Sequence, residues 1–338
     1  MKFHLHLLMF LSALSATTFA TPLERKLISA DAKWLVHLDL DNLRSTEFGK
    51  FVTKRLIALA DSTSSVKMDF SAIFQKVGSI TAYGDQYETG PQSNGVLLIK
   101  MDTDTQKILE GFLAAQMLSD KEESIKKTQH ESSVMYSIKD DLFVSIQPDH
   151  QAVLSKSQKQ IHKAREVLSG KTPNLSSSKA FAGCPAAPNS FFFLGFAEAF
   201  NQKADMPPQA KILQMADGGR LVLGENADKL VLEVILKAKS PEVVKQIQQV
   251  VDGMTALISL SKTNNPELQQ LINGVKVVTE KNLLLVKIDY PLAQALEKLR
   301  EVIGADERED GGKKKVKLEK ESEQKAVGSS AVNKEAKP

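Results

Sequence analysis

The chain has 338 residues, with 44 Lys and Arg against 41 Asp and Glu, a formal net charge of +3, and one cysteine. So even a balance carries no general attraction for polyanions, which excludes non-specific nucleic-acid binding. A single thiol forms no disulfide within the chain, so stability must come from an apolar core.

Taken in chain order, the first feature is an address. Met1-Lys2 is followed by the apolar run Leu7-Leu8-Met9-Phe10-Leu11 and by Thr18-Phe19-Ala20. One positive charge, a short apolar stretch and small residues at −3 and −1 make a secretory signal peptide over 1–20. The run is shorter than the roughly 20 apolar residues of a membrane span. Cleavage after Ala20 leaves Thr21-Pro22 at the new terminus, and the mature product is expected to be soluble and periplasmic or secreted.

Trp34 to Leu40 alternates as a strand, with Trp34, Val36, Leu38 and Leu40 expected on the buried side. Phe48, Phe51, Val52, Leu56 and Leu59 recur at helical spacing. Ile80–Tyr87 and Gly95–Met101 read as a strand pair. Thr103 is placed to cap a helix whose stripe is Ile108, Leu109, Phe112, Leu113 and Met117. Strands around Val134–Ile138, Leu142–Ile146 and Ala152–Leu154 follow, then a helix with Ile161, Ala164 and Leu168 on one side.

The order then recurs. Phe191–Phe196 reads as a core strand, and a segment interrupted by Pro207-Pro208 leads to Lys211–Met215. Leu221–Leu223 and Leu230–Leu236 read as a strand pair, with Gly218-Gly219 as a hairpin turn. Ser240-Pro241-Glu242 signals a helix start, with the stripe Val244, Ile247, Val251, Met254 and Ile258. Val275–Val278 and Leu283–Ile288 form a last hairpin, and Pro291 opens a helix. From Ala305 the chain is charged and almost free of bulky apolar residues, the composition of a disordered tail. Its lysines 313–315 are flanked by acids, which leaves only weak contact with anionic surfaces.

The fold expected is therefore α+β, as two similar tandem modules, each an antiparallel sheet with helices packed on one face. The divisions are 1–20 signal peptide, 21–172 first module, 173–304 second module with the join near Pro173, and 305–338 tail.

Chemistry-bearing residues are few. His37, Asp39 and Asp41 alternate at the end of the first strand, and imidazole beside carboxylate at that spacing can hold a metal or move a proton. They are the candidate metal set, although a closed zinc site takes four ligands. An exposed strand face running into a helix start is the plainer explanation. His130, His150 and His162 show no ligand spacing, Asp102-Thr103-Asp104 lacks the rest of a calcium loop, and Cys184 has no histidine nearby in sequence. No phosphate-binding, nucleophile-elbow or paired-cysteine motif is present, so no cofactor is expected.

The phrase Ala30-Asp31-Ala32-Lys33-Trp34, continuing His37-Leu38-Asp39-Leu40-Asp41-Asn42-Leu43-Arg44, resembles the mature start of a group of uncharacterised exported bacterial proteins. Members of that group often end in a charged tail; the resemblance implies export and the duplicated build, and carries no activity. Together these readings favour a non-enzymatic binding or interaction module with an envelope protein or peptide as partner. The alternatives are a metal-assisted hydrolase using His37 and Asp39, and anchoring to the envelope through the tail.

Overall fold

The computed structural model describes residues 21–301, apart from 64–69, 88–90, 120–123, 131–132, 140, 180, 182–190, 199–214 and 261–265. The expected signal peptide, Cys184, the Pro207-Pro208 segment and the charged tail lie outside the described residues. The chain divides into two compact units, 1–290 and 291–338. Of the second, a helix over 292–301 is described, beginning after Pro291 as its sequence signal predicts.

The first unit is built on one antiparallel sheet of 12 strands. Its strands are β1 (Trp34–Asp39), β2 (Val77–Gly84), β3 (Val96–Met101), β4 (Ile125–His130), β5 (Ser133–Ile138), β6 (Leu142–Gln147), β7 (Gln151–Ser155), β8 (Phe191–Glu198), β9 (Ala216–Asn226), β10 (Lys229–Ala238), β11 (Val275–Glu280) and β12 (Leu283–Pro291). Their spatial order is β11-β12-β10-β9-β8-β1-β2-β3-β7-β6-β5-β4. The helices are α1 (Leu40–Ser45), α2 (Glu47–Thr63), α3 (Phe70–Lys76), α4 (Pro91–Asn94), α5 (Thr103–Ser119), α6 (Gln158–Leu168), α7 (Pro241–Leu260) and α8 (Pro266–Asn273).

The α+β class stands, but one sheet runs through both expected modules. β1 pairs with β2 on one side and with β8 on the other, in the register Leu35↔Phe196 and His37↔Leu194. The Tyr87 hydroxyl closes the end of this seam: it sits 2.8 Å from the Lys33 carbonyl and 2.5 Å from that of Glu198, and accepts from the Glu198 N–H at 3.1 Å. The stretch near Pro173 is bound to the sheet unit and does not behave as a free linker. Ala30 N–H donates to the Pro173 carbonyl at 3.2 Å, and Leu175 is fully buried.

Helices cover both faces of the sheet, against the expectation of one. Successive residues on a strand point to opposite faces. On β1, Leu35 belongs to a core with Ile28, Tyr83, Ile161, Ala164 and Leu175, which brings α6 and the segments around 28 and 175 onto that face. Leu38 packs with Leu40, Leu43, Phe48 and Ile73, which brings α1, α2 and α3 onto the other. α5 continues the Leu38 face over β5 and β6 through Leu113, Tyr136 and Val144. α7 covers β9 to β12 through Val244, Ile247, Leu236 and Leu284. Phe48 of α2 stacks on Phe192, with ring centroids 5.7 Å apart.

Four local expectations change. The buried side of β1 is Leu35, His37 and Asp39, whereas Val36 is 37% exposed. Gly218 and Gly219 are strand residues, paired with Lys237 and Leu236, and the turn lies at Ala227-Asp228. A Cβ at Gly218 would stand 2.8 Å from the Ala197 carbonyl oxygen, so close strand approach is what selects glycine there. The cap of α5 is Asp102, which accepts from Thr105 N–H at 2.8 Å, and Thr103 is the first helical residue. Met254, expected in the α7 core stripe, is 43% exposed.

The inversion on β1 is testable. Leu35→Ala should cost about 2–5 kcal/mol, as for other fully buried leucines, and Val36→Ala about 1 kcal/mol or less. Urea denaturation followed by the fluorescence of Trp34, the only tryptophan, measures both. Equal losses would return Val36 to the core side.

Candidate functional site

The three candidate residues fall at the point where β1 passes into α1. Period-2 alternation puts His37 and Asp39 on the same side of β1, at 4% and 5% exposure. Asp41 lies one step beyond, in the first turn of α1. A buried polar group without a partner is costly, so the arrangement is best described by where each polar atom goes.

Both ring nitrogens of His37 are engaged. Nε2 lies 3.0 Å from the Thr21 carbonyl oxygen, which can only accept, so Nε2 carries the proton. Nδ1, 2.8 Å from Thr81 Oγ1, then accepts from that hydroxyl in the neutral ring. Burial pushes the His37 pKa below the ordinary histidine value, while the bond to Thr21 and the charge of Asp39 pull the other way. Asp39 has a different task. Its backbone is extended, and its Oδ1 accepts from Asn42 N–H at 2.9 Å, so it is the N-cap of α1.

Asp41 holds two partners. Oδ1 pairs with the Arg44 guanidinium, and Oδ2 accepts from the Thr21 hydroxyl at 2.6 Å. Arg44 also donates through Nη1 to the carbonyls of Phe74 at 2.7 Å and Val77 at 3.0 Å, fixing α1 to the start of β2. Thr21 therefore joins His37 to Asp41, one through its carbonyl and the other through its hydroxyl. The three candidates are brought close along the chain but are turned to structural contacts, His37 and Asp41 to Thr21 and Asp39 to the start of α1. Among the described residues, no three His, Cys, Asp or Glu side chains gather as a metal-binding group.

Beside them lies a small pocket, lined among others by Pro22, Glu24, His37, Thr81, Lys100 and Gln151. Glu24 pairs with Lys100 and Lys26. Burial raises the Glu24 pKa, but the two ammonium groups outweigh it and hold the carboxyl below its ordinary value. The Gln151 side chain donates to Asp149 at 2.7 Å, and its buried Oε1 has no hydrogen-bond partner among the described residues. Residues 21–24 thus form the roof of a polar strip on the sheet.

Sequence reading gave no weight to a second, open polar cleft of about 1010 Å³ whose lining includes Asp31, Lys33, Asp85, Tyr87, Lys159 and Gln160. Lys163 bridges Asp31 at 2.9 Å and Asp85 at 3.4 Å. Gln160 also donates to Asp85 at 3.1 Å, so both of the cleft's carboxylates are met by neighbouring side chains. Burial raises the Asp85 pKa, yet Gln160 and Lys163 together bring it below the usual aspartate value. These residues are far apart in sequence, and no local spacing signals them. Of the other histidines, His150 is held structurally: it bonds Gln106 at 2.8 Å and Thr103 at 3.2 Å.

Comparison with known proteins adds no function. No protein-family model and no curated protein matches the chain. Solved structures similar to the chain include crystal forms I and IV of TP0453, at 10% and 11% sequence identity and a TM-score of 0.44 each. They align with 84% and 86% of this chain and with 98% and 99% of their own.

The His37 geometry sets a pH dependence. With its folded pKa below the unfolded value of about 6.5, the unfolded chain takes up the proton first as pH falls. Its stabilising contribution is complete above that value and is lost downward through the folded pKa. Melting temperatures at pH 7 and pH 5 should differ more for the wild-type chain than for His37→Gln. An equal difference in the two proteins would show that His37 is not buried neutral.

Proposed function

We propose that the chain is an exported envelope protein that acts as a non-enzymatic binding module for an apolar segment of another protein or peptide. The observation that carries this reading is an uncovered stripe on α7. Val250, Met254 and Leu257 are 43%, 43% and 69% exposed and are spaced four and three residues apart, on one side of the helix. Scattered single apolar residues need no explanation, but a helical stripe of them is the usual form of a surface that receives a partner's apolar side chains.

The engagement of His37 and Asp39 in structural bonds leaves no observation in favour of the hydrolase alternative. Export rests on the charge, apolar run and small residues of 1–20. No helix among the described residues is long and apolar enough to cross a membrane, in keeping with a partner-binding role at the envelope that needs no helical span.

We also propose that the two halves are similar modules fused at the β1–β8 seam. The strand order supports it. Outward from the seam, one side runs first, second and third strand, β1-β2-β3, then the last strand before its closing helix, β7. The other side runs β8-β9-β10, then β12 in the same position. In both, a long helix, α5 or α7, follows the third strand.

Replacing Met254 and Leu257 together by Glu tests the binding surface. Exposed substitutions change stability by about 0.5 kcal/mol or less, so the melting temperature should hold while recovery of a stoichiometric partner from an envelope extract is lost. Equal recovery by both proteins, or none by the wild type, would overturn the reading. The address is checked separately by fractionation: the chain should be found outside the cytoplasm, and a cytosolic chain with Met1 intact would overturn it.

A further inference from the structure

The roof of the polar strip includes Thr21, the residue that the signal-peptide rule makes the first of the mature chain. The two observations are independent, one from residues 18–20 and the other from the contacts of residue 21. We propose that residues Gly78, His37 and Asp41 form a socket for the processed N-terminus, in which the Asp41 carboxylate pairs with the new α-ammonium group of Thr21.

The socket recognises Thr21 on three sides. His37 Nε2–H donates to its carbonyl at 3.0 Å, and its hydroxyl donates to Asp41 Oδ2 at 2.6 Å. Gly78 forms the floor: a Cβ there would stand 2.9 Å from Thr21 Oγ1 and 3.2 Å from Asp41 Oδ2, so a side chain would lift the residue out. One residue further on, Pro22 lines the small pocket beside His37, and Glu24 anchors to Lys100. A terminal residue with no role would not have its carbonyl, hydroxyl and floor all matched.

The charge is placed to match as well. The α-nitrogen of Thr21 is separated from Oγ1 only by the Cα–Cβ bond, so it lies roughly 3–4 Å from that hydroxyl in any staggered rotamer. The carboxylate bound to Oγ1 is therefore within the range at which opposite charges act on each other. Of its two oxygens, Oδ1 is taken by Arg44 and Oδ2 is turned to Thr21. Before cleavage the nitrogen is an uncharged amide; hydrolysis of the Ala20–Thr21 bond by water gives an Ala20 carboxylate on the leaving peptide and an ammonium on Thr21. Capture of a terminal amine in this way ties the trimming of the chain to completion of its fold.

This inference rests on cleavage after Ala20, as proposed above, and its test separates the two. Full-length mature protein starting at Thr21, released from a cleavable N-terminal fusion, is compared with the same chain preceded by its own Phe19-Ala20. The chain with free Thr21 should melt several degrees higher, and Asp41→Asn should remove the difference between the two forms. Equal melting temperatures in the wild-type background, or a gap unchanged by Asp41→Asn, would overturn the socket. If Asp41→Asn does not fold, acylation of the terminal amine at pH 7 decides. It should be slower in the folded chain than in a Thr-Pro-Leu peptide, and an equal rate overturns the proposal. Sequencing the N-terminus of exported material tests the cleavage point on its own: a start other than Thr21 overturns the proposal as a feature of the processed chain, whatever the prepared forms show.

Discussion

The pairing of β1 with β8 is the constraint on which the rest of this structure depends. It makes β1 an inner strand of a 12-stranded sheet, with neighbours on both edges and elements over both faces. His37 and Asp39 lie on its more deeply buried side with Leu35, where no solvent is at hand for a polar group. Every polar side chain on β1 must then find a partner inside the protein. That requirement explains why His37 bonds Thr81 and Thr21, and why Asp39 caps α1. The same residues at the edge of the sheet would need no such contacts.

It also explains why the N-terminal stretch is where it is. The Leu35 face of β1 to β3 carries an apolar end, with Leu35, Tyr83 and Val96, and a polar end, with His37, Ser79, Thr81 and the neighbouring Gln151 of β7. α6 and the segment around Leu175 cover the apolar end with apolar side chains. The polar end receives residues 21–24 instead, whose Thr21 carbonyl and Glu24 carboxylate supply acceptors for His37 and Lys100. Cover and surface are matched in kind along the same face.

How much of this was legible in the sequence follows from the same physics. Elements with one strong period were readable: α6 from Ile161, Ala164 and Leu168, β8 from its continuous aromatic run, and the α7 start from Ser240-Pro241-Glu242, where Val243 N–H bonds the Ser240 hydroxyl at 3.4 Å. β4 was missed because Ile125–His130 is an edge strand, Ile-Lys-Lys-Thr-Gln-His, with almost no apolar alternation to show. The β9–β10 turn was hidden because Ala227, with φ of 53°, takes the left-handed position where glycine is the usual signal. The two faces of β1 were separated correctly but ranked in the wrong order. Alternation tells which residues share a side, and it does not tell which of the two sides is the more deeply buried. The single continuous sheet was illegible for a related reason, since strand pairing between residues 34–38 and 193–197 leaves no local trace.

The candidate site shows the same division. That His37 and Asp39 share a side was visible from spacing; what they bind was not, because Thr21 stands 16 and 20 residues before His37 and Asp41. A polar cover also differs in kind from an apolar one. Burial of a leucine is satisfied by many neighbouring positions, so an apolar segment over a sheet can shift its register at small cost. Thr21 has one carbonyl for His37 and one hydroxyl for Asp41, and a shift by a single residue would put Pro22, without a hydroxyl, in that place. Buried hydrogen bonds of this sort add little net stability, yet leaving them unmade is expensive, so they select one arrangement over its neighbours. His37 and the nearby Asp41 are thus accounted for by the specificity they impose on the placement of Thr21.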